Sequence, residues 1–248
     1  MLFALIKNIV EKKFENNQNI FKHSPGIPLN LHQGSVVTLP DLDIALAQAD
    51  GSIIPNVIGK QTIAAVGIME LFGFIVYNSY LQDGTSFLRT IVDKQGNVKE
   101  VALFTNKDEI TPQTKEDWEF WLGSYQKDAT GQFVRDSAGY PILAEAGLIG
   151  WNQFQIDGPP TIVYDRSWMQ SQTGIEPISY TESITNNTGQ IIILKHEGME
   201  YSRIIGQEPT TIIEDLLVHM SQFNDEASIN IYIGIPLNIT DIKVLATS

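Results

Sequence analysis

The side chains that most often carry chemistry are sparse in this chain, and each pattern they form can be tested against what its chemistry needs. There are four histidines, His23, His32, His196 and His219. His196-Glu197-Gly198-Met199-Glu200 begins like a zinc-protease helix, in which two histidines one turn apart hold the metal and the glutamate is the base. The second histidine is missing, and Glu197-Gly198 reads as a turn, with His196 as a solvated residue beside it. Val57-Ile58-Gly59-Lys60-Gln61-Thr62 ends like a phosphate loop, but Gln61 stands where a hydroxyl would hold magnesium. The glycine that should open that loop is replaced by Ile54. Cysteine is absent, which removes thiolate nucleophiles, redox pairs and cysteine zinc sites. No nucleophile elbow and no dinucleotide-binding glycine fingerprint occurs. The expectation is no catalytic residue, no metal and no cofactor.

Two stretches could bind rather than react. Asp157-Gly158-Pro159-Pro160 reads as a tight turn before a strand over Thr161–Trp168. Alternation sets Tyr164, Arg166 and Trp168 on one face, where an arginine between aromatics can stack. That face is either a packing ladder or a ligand face, and Tyr201 and Arg203 would extend either version. The other stretch is the N-terminus. Leu2, Leu5, Ile6, Ile9 and Val10 fall at helical spacing, and Lys7, Lys12 and Lys13 supply positive charge. Such an amphipathic helix would contact an anionic membrane, a protein partner or its own domain.

The elements that would position these groups are mostly strands. Ser86–Asp93 and Val98–Phe104 flank Lys94-Gln95-Gly96-Asn97, a hairpin loop with glycine where positive φ is wanted. Glu176–Ile184 and Gln190–His196 repeat the pattern, and Met199–Ile205 would complete a three-stranded meander across Glu197-Gly198. Ile63–Tyr77 is apolar apart from Glu70, but is too short for a membrane span of about 20 residues; it reads as two buried strands with a bend. Thr210–Phe223 fits a helix through Ile212, Leu216, Met220 and Phe223 or a strand through Leu216, Val218 and Met220, with the strand preferred, and Ser228–Ile235 adds another strand. Helices are expected at Asp41–Ala49, at Lys115–Leu122 capped by Thr111-Pro112, and as one turn in Pro141–Ala146. The fold class is therefore α+β: mainly antiparallel sheet, few short helices and an N-terminal amphipathic helix. Residues 1–23 form that helix and its linker. Residues 24–248 form the β-rich domain, in two lobes if the loop at 123–147 divides it.

Charge narrows the partners. The 248 residues carry a net charge of −13. Residues 1–23 balance at +2, so the rest holds −15. A body that acidic repels phosphate backbones, and four arginines are thin material for phosphate clamps; nucleic acid is not an expected partner. The N-terminal apolar run is interrupted by Lys7 and lacks a cleavage site, which points to the cytoplasm.

In order and spacing the chain resembles the YjfK-like family of bacterial proteins of unknown function. Pro28-Leu29-Asn30-Leu31, Tyr77 through Asp83, Trp118 through Leu122, Gly147 through Gly150, Asp157 to Trp168, and Met199 through Arg203 carry the resemblance. It implies association with phage-shock-type membrane-stress proteins and supplies no catalytic residues. The expected function is a non-enzymatic accessory protein at the cytoplasmic face of the inner membrane. The alternatives are an enzyme acting on a cationic amine, marked by a pocket of clustered carboxylates with perturbed pKa, and a soluble oligomeric partner protein.

Overall fold

The computed structural model describes residues 26–57, 59–137, 139, 141–168, 174–186 and 188–245. The elements run β1 (Val36–Thr38), α1 (Asp41–Ala49), β2 (Lys60–Leu71), β3 (Phe74–Leu81), β4 (Ser86–Val92), β5 (Val98–Ile110) and α2 (Lys115–Leu122). They continue with β6 (Gly123–Tyr125), β7 (Leu143–Ala146), β8 (Gln153–Ile156), β9 (Ile162–Arg166), β10 (Ile178–Thr185) and β11 (Ile191–Ile205). β12 (Ile212–Phe223), β13 (Glu226–Pro236) and β14 (Lys243–Leu245) complete the chain.

Eight of these strands close on themselves. The ring runs β2-β3-β4-β5-β13-β12-β11-β10 and returns to β2 through the pairs Ser183–Ile68, Ile184–Gly67 and Thr185–Val66. Every pairing is antiparallel. The fold is thus an antiparallel β-barrel with two α-helices among the described residues, which corrects the α+β expectation. Strand propensity and hairpin turns placed the sheet correctly, but they do not say whether a sheet closes. The expected N-terminal helix, with Leu2, Leu5, Ile6, Lys7, Ile9, Val10, Lys12 and Lys13, lies outside the described residues.

Both faces of the wall are buried. On the outer face Tyr77, Leu88, Leu103, Leu216, Val218 and Ile233 join one core with Leu31, Val37 and Ile44 from the N-terminal side. Trp121, Ile149, Phe154 and Tyr164 join the same core from the α2–β9 region. On the inner face Tyr80, Phe87, Phe104, Ile184, Leu194, Leu217 and Tyr232 form a second, smaller core. The register decides which face is which. Arg89 on β4 meets Glu200 on β11 at 3.6 Å; those strands are four places apart in either direction round the ring, so the contact crosses the lumen. Eight strands leave an interior that side chains can fill.

Several local expectations need correction. Glu197-Gly198 is no turn: β11 runs unbroken through it. Pro141–Ala146 contains β7, paired with β6, and not a helical turn. Helix α2 is capped by Thr114, whose side chain accepts from the Asp117 N–H while Asp117 accepts from the Thr114 N–H. This reciprocal box satisfies two otherwise orphaned donors, and it moves the cap three residues past Thr111.

Candidate functional site

Two clusters fill the lumen side by side. In one, Phe87 and Phe104 stack at 5.3 Å, with Tyr232 edge-on to Phe87 at 5.1 Å. Against it, with Tyr232 edge-on to His219 at 5.6 Å, lies a buried polar layer centred on Glu182, which is 1% exposed. Its carboxylate accepts from Asn78 Nδ2 at 2.9 Å and from Tyr80 Oη at 2.8 Å, and it pairs with His196 Nε2 at 3.1 Å. His196 stacks parallel on His219 at 4.8 Å, and Tyr180 reaches His219 Nδ1 at 2.8 Å. Burial, then the neighbouring His196 and Arg89, hold His219 well below the ordinary histidine range, so it stays neutral.

His196 Nδ1 also meets Ser221 Oγ at 3.0 Å, which gives Ser221, His196 and Glu182 the connectivity of a hydrolytic triad. The surroundings argue for a different role. Ser221 is 4% exposed and sits mid-strand. The backbone around it is taken up by the β11 and β13 ladders, so it has no loop of free N–H groups to hold an oxyanion. The three side chains are a satisfied polar layer inside a closed wall.

One mouth of the barrel is acidic. Glu100 of β5, Glu200 of β11 and Asp215 of β12 gather there, with Arg89 beneath them and Asp43 of α1 beside them. A cleft of about 610 Å³ has Asp43, Leu46, Glu100, Glu200, Asp215 and Pro236 among its walls. Burial, followed by Glu200 and Glu100, pushes the Asp215 carboxyl up to about 8. Burial also raises Glu200, against the opposing pull of Arg89. Arg89 answers only part of this charge: its guanidinium lies 4.5 Å from the centroid of the Phe104 ring and 3.6 Å from Glu200. Among the described residues no three His, Asp or Glu side chains converge as metal ligands.

The raised Asp215 has a consequence for stability. In the unfolded chain the carboxyl ionises near 3.8, and in the folded protein near 8. The folded state therefore holds the extra proton between those values, and stability falls as pH rises through that window. Asp215→Asn should leave the melting temperature unchanged below about pH 4 and raise it progressively to about pH 8 relative to the parent. Parallel pH–melting curves would contradict the assignment.

The sequence-predicted face is assembled as a buried packing ladder, with Arg166 of β9 paired to Tyr201 of β11. Tyr164, Arg166 and Tyr201 are each 0% exposed. Arg166 donates to the Trp168 carbonyl at 2.9 Å and to the Gly150 carbonyl at 2.6 Å, and Tyr201 donates to the Ile149 carbonyl at 2.5 Å. Trp168 is half-buried and edge-on to Phe72 at 5.2 Å. Arg203 lies over the Tyr164 ring at 5.1 Å and pairs with Glu214. These residues fasten the β8–β9 segment to the barrel. His196, expected as a solvated turn residue, is 1% exposed and inside the lumen. The groups that do converge, Glu100, Glu200 and Asp215, carried no motif; the only signal was a charged residue recurring inside apolar strands.

Fold and site together define a closed antiparallel barrel with a polar lumen and one acidic mouth. Residues 9–146 and 141–243 match the family described as a protein of unknown function, DUF2491. The chain belongs to that family. No curated protein and no solved structure matches it.

Proposed function

We propose that this protein is a non-enzymatic binding protein whose barrel mouth receives a cationic amine group. The observation that carries the reading is the gathering of Glu100, Glu200 and Asp215 at one opening, where burial, and after it the two neighbouring carboxylates, pushes Asp215 up to about 8. An ammonium ion seated there would replace that proton and relieve the repulsion. The YjfK-like resemblance supports a place among membrane-stress proteins at the cytoplasmic face of the inner membrane. Lys7, Lys12 and Lys13 support a contact with an anionic surface or a stress-protein partner. No described helix is long and apolar enough to cross a membrane.

The test uses spermidine as probe. Titration calorimetry at pH 7.5 and low salt should show binding with proton release, read as a dependence of the heat on buffer ionisation enthalpy. Binding should tighten as pH rises through about 8, where Asp215 ionises without help. Asp215→Asn with Glu200→Gln should weaken it by about tenfold or more, which corresponds to about 1.4 kcal/mol. Equal binding to parent and variant would remove the mouth from consideration.

A further inference from the structure

Among the described residues, the rim of the acidic mouth is apolar and exposed. Leu42 and Leu46, one turn apart on α1, are 69% and 51% exposed. Ile204 and Ile213, directly opposed on β11 and β12, are 73% and 54% exposed. Leu46 and Ile213 both border the cleft that contains Glu200 and Asp215, so the two pairs belong to one surface. On a chain with this many interior positions to fill, four large aliphatic side chains standing in water around a single opening are costly. Among the described residues, Leu46 and Ile213 are the large exposed apolar side chains that line the cleft, and Leu42 and Ile204 extend them as neighbours one turn away and across the strand pair.

We infer that this surface docks an amphipathic, lysine- or arginine-bearing segment of a partner protein. Its apolar side chains would lie on Leu42, Leu46, Ile204 and Ile213, and a basic side chain would enter the mouth towards Glu200 and Asp215. The inference rests on the reading of the mouth as a cation receptor and names what brings the cation. Charge complementarity selects a cationic amphipathic segment over a second barrel or a bilayer. A second copy of the barrel would set Asp43, Glu100, Glu200 and Asp215 against the same four groups, and an anionic bilayer would meet them with like charge. A small polyamine would fill the mouth but leave the rim in water. An amphipathic segment answers both features, in the manner of a helix laid into a groove.

The experiment compares three probes by fluorescence anisotropy or calorimetry: a 16-residue amphipathic Lys/Leu peptide, the same peptide with serine for leucine, and spermidine. The Lys/Leu peptide should bind about tenfold or more tighter than either of the others, given the apolar area that its leucines would bury on the rim. Leu42→Ser with Ile204→Ser, both at exposed positions outside the cleft wall, should keep the melting temperature and the spermidine affinity while losing that tenfold advantage. The inference is overturned if spermidine binds but the rim variant takes the peptide as well as the parent does. It is also overturned if the serine peptide binds equally, or if anionic liposomes bind through the rim instead. If none of the three cationic probes binds, the cation-receptor reading falls with it.

Discussion

Gly67→Ala is expected to destabilise the barrel by about 3 kcal/mol, a large effect for one methyl group. Gly67 lies on the inner face of β2, paired with Asn78 on one side and Ile184 on the other. A Cβ placed there would run into the Glu182 carboxylate. A free glutamate would swing aside at little cost, but this one is held by Asn78, Tyr80 and His196 and has no water to move into. Relieving the overlap therefore means breaking charge-assisted hydrogen bonds inside a closed lumen. Urea denaturation would measure the loss. Shortening the acid should rescue it: Gly67→Ala combined with Glu182→Asp should cost clearly less than the two single changes added together. A loss below about 1 kcal/mol for Gly67→Ala would mean that the polar layer is loose.

Glu214→Ala should cost about as much or more, on the order of 3–5 kcal/mol. Glu214 is 0% exposed and points outward from β12, where four donors converge on it. They are the Ser52 hydroxyl, the Ile53 N–H at 2.9 Å, Tyr164 Oη at 2.6 Å and the Arg203 guanidinium at 2.6–2.7 Å. The carboxylate thus ties the segment after α1, strand β9 and strand β11 to β12. Truncation strands a partly buried guanidinium and three neutral donors without an acceptor. Chemical denaturation of Glu214→Ala, Arg203→Ala and the double variant would form a cycle with a coupling of about 1 kcal/mol or more. Additive losses would show that the pair is incidental to the packing.

How much of this could be read from the chain follows from what each signal encodes. The loop at Lys94–Asn97 was legible because a tight hairpin needs a residue at positive φ, and Gly96 supplies it at 88°. The same reasoning failed at Gly198. That glycine serves close approach, since a Cβ there would press on the backbone and Cβ of His219 across the β11–β12 pair. Sequence shows that a glycine is present, not which of its two uses is in force. Helix α1 was legible to the residue, whereas the cap of α2 was misplaced because Thr111-Pro112 and Thr114 through Asp117 both resemble helix starts.

The site was harder to see for a different reason. Alternation separates two faces of a strand but labels one as inside only when the other is wet. Here the outer face is jacketed, so β4 and β13 read as nearly continuous burial. Glu182, Arg89 and His196 gave no hint that they share a lumen. Opposition across a barrel also depends on ring closure between segments far apart in sequence, which no local pattern records.

That closure has a consequence for how the molecule comes into being. The seam joins β2 to β10 through Ile68 and Ser183, more than a hundred residues apart, and a second distant pairing joins β5 to β13. The hairpins β2-β3-β4-β5 and β10-β11-β12-β13 are each assembled from neighbours and can form early. The first of these sheets leaves the ribosome with the edge of β5 open and that of β2 covered by β1 only over Lys60–Thr62, and β5 and the rest of that β2 edge have no partner until the second has been made. Over that interval its exposed edges are templates for pairing with another nascent chain. Slow synthesis through the α2–β9 region, or a shortage of chaperones, should therefore lower the yield of barrel by aggregation without altering the stability of the molecules that do close.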